Sequence, residues 1–567
     1  MNGAELFVRT ARENGVTVLF GLPGSTEAAL LEAIRADGSL RYVLGLHEGA
    51  VVAMADGYAR VTGTPAVAGL HTSVGTMNGL NQVYNAFRDR SPLVVTAGNK
   101  DSTLLAQDGF CALPHLPSLL RDYTKWSWQS LSAAAVPADL ARALRVAVTP
   151  PRGPTFLAVP EDMLRENVPG ADAGQGTGTP ADQGTGTGAP VAGPHWRAPP
   201  VAAPAHEAIS AAVDLLTAAE RPVLVVGSAA TGAVSELRAL TDEIQAPVLV
   251  TELTDLEQLP FPTGDERYAG LWGEDPAVLD GSDLVMAVGC SVFFSFSTAA
   301  RPALPPRARL IHAHPEAAEI GRDVPADVAL LGAPAATLAA VLAALRARGG
   351  LDGALRCRRA ELLAALRRRR AEQLARELAS APARPLAIES VAAELSRVLP
   401  AGTILVDEAV RSSRPLLRHL KTSEASVVLH SRGGGLGWGV PAAIGAKIGQ
   451  PGRPVVAVVG DGSLHFCVQA IWTAVTERAP VVIVVLDNGG YLAVKRAIES
   501  VTGIPCDPRP HPGTDLPGID HLAVARGYGA DGVHVDDVRE LGTAVTEGLA
   551  AERTLIVHAC VVRVPPH

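Results

Sequence analysis

The chain is poor in the features that mark several classes of protein. Its 567 residues include six cysteines, Cys111, Cys290, Cys357, Cys467, Cys506 and Cys560, and no two of them form a C-x-x-C pair. This excludes a disulfide framework or a zinc ribbon as the organising device and reads most of the thiols as packing residues. Aromatic residues make up 4% of the chain, the net charge is −9, and no basic stretch is interleaved with aromatics. Such a balance argues against a nucleic-acid partner. No apolar run reaches the roughly 18 residues of a membrane span. The opening MNGAELFVRTARENG lacks the apolar core of a secretory signal. A cytoplasmic protein without membrane partners is the expectation.

Apolar residues and glycine are abundant, at 47% hydrophobic content and 56 glycines. That composition suits buried parallel strands covered by helices. The length exceeds what one core supports at roughly 100–200 residues per domain. Read in order, the pattern is α/β throughout: three consecutive α/β domains, each with a mainly parallel sheet flanked by helices, at 1–168, 201–345 and 385–567. Residues 169–200 carry a near-repeat of Gly, Thr, Ala and Pro (GQGTGTPAD, DQGTGTG) that cannot bury a core and reads as a flexible linker. Residues 346–384, with LRRRRAEQLARELA, read as a solvated basic helix that links the second and third domains.

Chemistry-bearing residues gather where strands end, which is where open parallel sheets bind ligands. In the first domain these are Ser25, Glu48 and His71. Each also has a plain structural role: Ser25 can cap the helix it precedes, and Glu48 suits the positive end of a helix. In the third domain an apolar run stops at Gly460-Asp461-Gly462, and a second stops at Asp487-Asn488-Gly489. Asp461 and Asn488 stand 27 residues apart, which suits one βαβ crossover and lets both reach a hard cation beside a diphosphate. Upstream, Gly433-Gly434-Gly435-Leu436-Gly437 lets a cofactor approach the backbone closely. The second domain lacks G-x-G-x-x-G after its first strand, so flavin or nicotinamide binding is not expected there.

Together HEGAVVAMADGYAR (47–60), the GGLG loop and the GDG with its downstream asparagine resemble thiamine-diphosphate-dependent enzymes of the pyruvate decarboxylase and acetolactate synthase type. GLPGSTE, the His71 loop, KWSW and GGLGWGVPAAIG are most similar to the benzoylformate decarboxylases. The resemblance implies a first domain that binds the aminopyrimidine, an architectural middle domain and a third domain that binds the diphosphate. It further implies a dimer or tetramer with active sites between subunits. Glu48 would hydrogen-bond the pyrimidine N1′. Asp461, Asn488 and the Gly490 carbonyl would ligate Mg²⁺, with Gly460, Gly462, Ser463 and Tyr491 beside the phosphates and Gly434 and Leu436 shaping the cofactor. Ser25 and His71 would bind the substrate carboxylate and relay protons. The implied pocket comprises Pro23, Ser25, His71, Phe110, Cys111, Leu113, Phe296, Ala493, Val494 and Ala497, an apolar wall suited to an aromatic or branched 2-oxo acid.

Two departures from the family pattern bear on the reaction. Phe296 stands where the family has a second histidine, and phenylalanine carries no proton. The turn Asp407-Glu408-Ala409-Val410 lacks the family's hydroxyl residues. The implied activity is non-oxidative decarboxylation of a 2-oxo acid, and a missing proton carrier favours ligation of the decarboxylated unit to an aldehyde or ketone acceptor over its release as aldehyde. An acetolactate-synthase-type carboligase is the alternative. A non-catalytic paralogue is disfavoured by Glu48, His71 and the intact metal motif.

Overall fold

The computed structural model describes residues 1–107, 109–171, 203–292, 303–506 and 511–562. Most of the expected linker at 169–200 lies outside them. The described chain forms three six-stranded sheets. The first contains β1 (Val18–Gly21), β2 (Arg41–Leu44), β3 (Ala66–Leu70), β4 (Leu93–Asn99), β5 (Ser127–Gln129) and β6 (Thr155–Pro160), in the order β2-β1-β3-β4-β6-β5. The second contains β7 (Pro222–Val226), β8 (Val248–Val250), β9 (Tyr268–Leu271), β10 (Leu284–Val288), β11 (Arg309–His314) and β12 (Val328–Leu331), in the order β12-β11-β10-β7-β8-β9. The third contains β13 (Ile404–Glu408), β14 (Val427–Leu429), β15 (Val455–Gly460), β16 (Val482–Asp487), β17 (Asp531–Val535) and β18 (Leu555–Cys560), in the order β14-β13-β15-β16-β18-β17. The first and third sheets thus share one topology. All pairings are parallel. The central strands are buried along their length, as expected of runs such as VVAVV that carry apolar side chains on both faces.

The first and third domains share a hydrophobic core. Helix Glu48–Thr62 crosses helix Gly439–Gly449 so closely that only glycine fits at two contacts. A Cβ on Gly57 would lie 2.0 Å from the Ala442 carbonyl oxygen, and one on Gly445 would lie 1.8 Å from that of Met54. At the edge of the crossing the buried Trp438 indole donates to Asp56, and the Arg60 guanidinium lies 5.0 Å from the indole centroid. This contact fixes where the two helix N-termini, and hence Glu48 and the glycine loop, stand relative to each other.

The arginine-rich segment forms a helix with most of its residues at least partly exposed, and it also packs on the second domain. Helix Gly353–Ser380 is a packing element on the second domain. Arg359 is buried and donates to the carbonyls of Leu216 and Ile244, at 2.7 and 3.0 Å, and to that of Ala219. Those carbonyls belong to helix C-termini, which have no intrahelical partner, so the guanidinium satisfies them. Arg367 and Arg369 pair with Glu266 and Asp275, and Arg370 reaches the Ala269 carbonyl. No helix among the described residues is long and apolar enough to cross a membrane.

Candidate active site

β2, β1 and β3 are neighbours, so Glu48, Ser25 and His71, each shortly past a strand end, meet along one sheet edge. Ser25 is exposed and is not a helix cap. The cap of the short 3₁₀ turn Ser25–Glu27 is Gly24, and the following helix Ala28–Asp37 has no side-chain cap either. Glu27 takes that task by accepting the Gly24 N–H at 2.8 Å. The same carboxylate accepts the Gly98 N–H at 2.8 Å and the Thr26 hydroxyl at 2.7 Å, and lies 2.9 Å from His71 Nδ1. A carboxylate only accepts, so His71 holds its proton on Nδ1 and leaves Nε2 as the acceptor nitrogen. Gly24 lies flat against the imidazole, since a Cβ there would stand 2.2 Å from Nδ1. The next residue, Thr72, is held at φ +46°, a strained setting for a β-branched residue.

Glu48 opens helix Glu48–Thr62, whose cap is His47, with Nδ1 accepting the Gly49 N–H at 3.0 Å. Its buried carboxylate accepts from Asn78 Nδ2 at 3.1 Å, and a Cβ on Gly75 would come within 3.0 Å of it. Both neighbours belong to helix Thr72–Arg88, which also grips the glycine loop of the third domain. Gln82 and Asn81 donate to the Leu436 carbonyl at 3.0 and 3.3 Å, and Asn85 exchanges hydrogen bonds with Gly435. Gly434 and Gly437 have φ of +71° and +88°, where side-chain-bearing residues are disfavoured.

In the third domain, Gly460 on β15 pairs with Leu486 on β16, which sets Asp461 level with Asp487 and Asn488 one step beyond. Asp461 is buried, and its carboxyl is pushed up to about 6 by that burial and by the Asp487 charge. Gly490 has φ +143° and a Cβ there would meet the Thr514 carbonyl at 2.2 Å, while Tyr491 N–H donates to that carbonyl at 2.9 Å. Gly462 faces the Tyr491 ring, which leaves room for no side chain. The Asp461 carboxylate, the Asn488 amide and the Gly490 carbonyl would offer only oxygen donors, as a hard divalent cation requires, and such a cation would offset the cost of burying Asp461 charged. Glu408 fills the turn that lacks hydroxyls. It accepts the N–H groups of Gly437, Trp438 and Gly439 at 2.8, 3.1 and 2.9 Å, and burial pushes its carboxyl up to about 7.

Three family models match this chain: the thiamine pyrophosphate enzyme N-terminal TPP-binding domain at residues 1–116, the central domain at 209–341 and the C-terminal TPP-binding domain at 412–559. The chain belongs to the thiamine pyrophosphate enzymes. Benzoylformate decarboxylase of Pseudomonas aeruginosa is 34% identical over 96% of both chains. The acetolactate synthase large subunit of Parasynechococcus marenigrum is 28% identical, covering 95% of this chain and 84% of its own. Among solved structures, a thiamine diphosphate-dependent 4-hydroxybenzoylformate decarboxylase of Rhodococcus jostii superposes with a TM-score of 0.82 at 27% identity, over the whole of both chains. As a thiamine pyrophosphate enzyme the chain carries its two cofactor-binding domains at either end, on the two sheets of like topology.

The remaining site residues are split between those domains. Pro23, Cys111 and Leu113 are half-buried in the first domain, with Ser73 Oγ donating to the Cys111 carbonyl at 3.3 Å, while Phe110 is 85% exposed. Ala493, Val494 and Ala497 form one exposed face of helix Leu492–Thr502 in the third domain. Phe296 lies outside the described residues. Sequence reasoning missed Glu27 and Glu408. Glu27 stands three residues after Gly24, the spacing of a capping box, and that was the available signal.

Proposed function

We propose that this chain decarboxylates an aromatic or branched 2-oxo acid using thiamine diphosphate and Mg²⁺, and that the decarboxylated unit is protonated to an aldehyde or joined to a second carbonyl. The observation that carries this reading is the Glu27–His71 pair beside the exposed Ser25 hydroxyl, at the sheet edge that also presents Glu48. When bound, thiamine diphosphate supplies the electron sink for the carbon that loses CO₂. Asp461, Asn488 and the Gly490 carbonyl would hold Mg²⁺, with Gly460, Gly462, Ser463 and Tyr491 flanking the diphosphate. The loop around Gly434 and Leu436 would shape the cofactor, and the Glu48 carboxylate would share a proton with the pyrimidine N1′. Ser25 would orient the substrate carboxylate by hydrogen bonding. His71, its tautomer fixed by Glu27, would deliver or remove a proton at Nε2.

The proposal extends to self-association. On helix Thr72–Arg88, Val74, Met77 and Tyr84 are 43%, 52% and 37% exposed, and Phe466 beside the glycine loop is 47% exposed. An apolar stripe flanking the site suits burial against a second copy that completes it. The test is to incubate the protein with thiamine diphosphate, Mg²⁺ and a panel of 2-oxo acids, with and without aldehyde acceptors, and to identify products by mass spectrometry. CO₂ with aldehyde or hydroxyketone from an aromatic or branched acid is expected. Hydroxyketone from pyruvate with almost no aldehyde would replace this reading by the acetolactate-synthase type, and no turnover of any 2-oxo acid would overturn both.

A further inference from the structure

Asp487, the last residue of β16, carries its Oδ2 against a row of histidines. Its Oδ1 accepts the Gly489 N–H at 2.8 Å, and its Oδ2 lies 2.8 Å from His558 Nε2 and 3.6 Å from His521 Nε2. His558 stands on β18, the neighbour of β16, and His521 opens helix His521–Gly527. The three ligating atoms lie within 4.8 Å of one another. We propose that Asp487, His521 and His558 form a second metal site for a borderline divalent transition cation of the Zn²⁺ or Co²⁺ class, next to the hard-cation position at Asp461 and Asn488 and separate from it. The inference does not depend on the proposed function.

Donor chemistry, spacing and support point the same way. Two imidazole nitrogens and one carboxylate oxygen suit zinc-like ions, whereas Mg²⁺ takes oxygen. Tetrahedral bonds of 2.0–2.1 Å put ligand atoms about 3.3 Å apart, and the observed 2.8 and 3.6 Å straddle that spacing. Each ligand is also held from behind, as metal-binding histidines and carboxylates usually are. His521 Nδ1 lies 3.1 Å from His465 Nε2, and His558 Nδ1 lies 3.0 Å from His534 Nδ1. His534 Nε2 in turn lies 3.0 Å from Asp536 Oδ1.

The run Asp536–His534–His558–Asp487 contains three short polar gaps. Two neutral imidazoles bring only two N–H groups to fill them. If His534 donates to Asp536 and His558 donates to His534, His558 Nε2 presents a lone pair to the Asp487 carboxylate, and either a proton or a metal cation belongs between them. The His534, His558 and Cys560 group also clusters, but it would compete for the same His558. Entry is open, since the Asp487 and His558 side chains are 21% and 16% exposed.

The test titrates Co²⁺ into the Mg²⁺-saturated thiamine diphosphate holoenzyme and follows visible d–d absorption. One equivalent per chain, displaced by Zn²⁺ and insensitive to further Mg²⁺, is expected. His558→Gln should abolish the bands. His534→Gln, at an exposed supporting position, should weaken Co²⁺ binding by about 10–100-fold with the thermal melt unchanged. Absence of bands in the wild type, or bands that persist unchanged in both variants, would overturn the proposal.

Discussion

Replacing Glu27 by glutamine changes one atom yet should disable His71. The carboxylate serves four donors, two on each oxygen: Gly24 N–H and His71 Nδ1–H on Oε2, at 2.8 and 2.9 Å, and Gly98 N–H and the Thr26 hydroxyl on Oε1, at 2.8 and 2.7 Å. An amide has one accepting oxygen, so one pair of donors must face an NH₂ group. With the oxygen kept toward Gly98 and Thr26, the Gly24 N–H is stranded, at a cost of about 1–3 kcal/mol. His71 Nδ1 then has to accept, which moves the ring proton to Nε2, the nitrogen proposed to meet the substrate. A misplaced proton forfeits general acid–base catalysis, so kcat for 2-oxo acid decarboxylation should fall about 10²–10⁴-fold, with a much smaller change in KM. Steady-state kinetics give the first readout, and ¹⁵N NMR of the His71 ring gives the tautomer. A folded variant with kcat within about threefold of wild type would refute the positioning argument, because the proton-transfer term is expected to exceed that by at least tenfold.

Other perturbations probe separate parts of the account. Gly57→Ala places a Cβ 2.0 Å from the Ala442 carbonyl oxygen and should cost about 1–3 kcal/mol or more in urea unfolding. Gly452→Ala, with nothing within 4 Å, should change stability by less than about 0.5 kcal/mol; equal effects would deny the close helix crossing. The proposed Mg²⁺ site needs Asp461 ionised, and burial pushes that carboxyl up to about 6, so protons would compete on the acid side. Apparent Mg²⁺ affinity in fluorescence titrations should be flat above that pH and fall about tenfold per unit below it; a flat profile down to pH 5 would contradict the assignment. Met77→Glu puts a charge on a residue 52% exposed in the chain alone and should yield monomers by light scattering with loss of turnover, whereas an active, unchanged oligomer would place the interface elsewhere.

What could be read without coordinates follows from local physics. β15 and β16 announce themselves as β-branched runs that end in glycine beside oxygen-bearing residues, and Glu48 sits where a helix start favours a carboxylate. β9 was not signalled, because YAGL is short and contains a glycine. The cap expected of Ser25 went to Gly24 because Glu27 folds back on it, a competition between neighbours that composition does not settle. Arg359 looked like one charge among many until helix C-termini of the second domain supplied carbonyls for it. The histidine row draws on residues 465, 487, 521, 534 and 558 from separate elements, so no spacing along the chain discloses it.

The central claim is that Glu48 activates a thiamine diphosphate held by the Asp461–Asn488 motif. Hydrogen–deuterium exchange at C2 of the bound cofactor, followed by quenched-flow NMR in wild type and Glu48→Gln, tests it most directly. Glutamine retains the hydrogen bond from Asn78 to its side-chain oxygen and cannot share the N1′ proton as a carboxylate does, so exchange should slow by orders of magnitude with the cofactor still bound. An exchange rate equal to wild type would contradict the account.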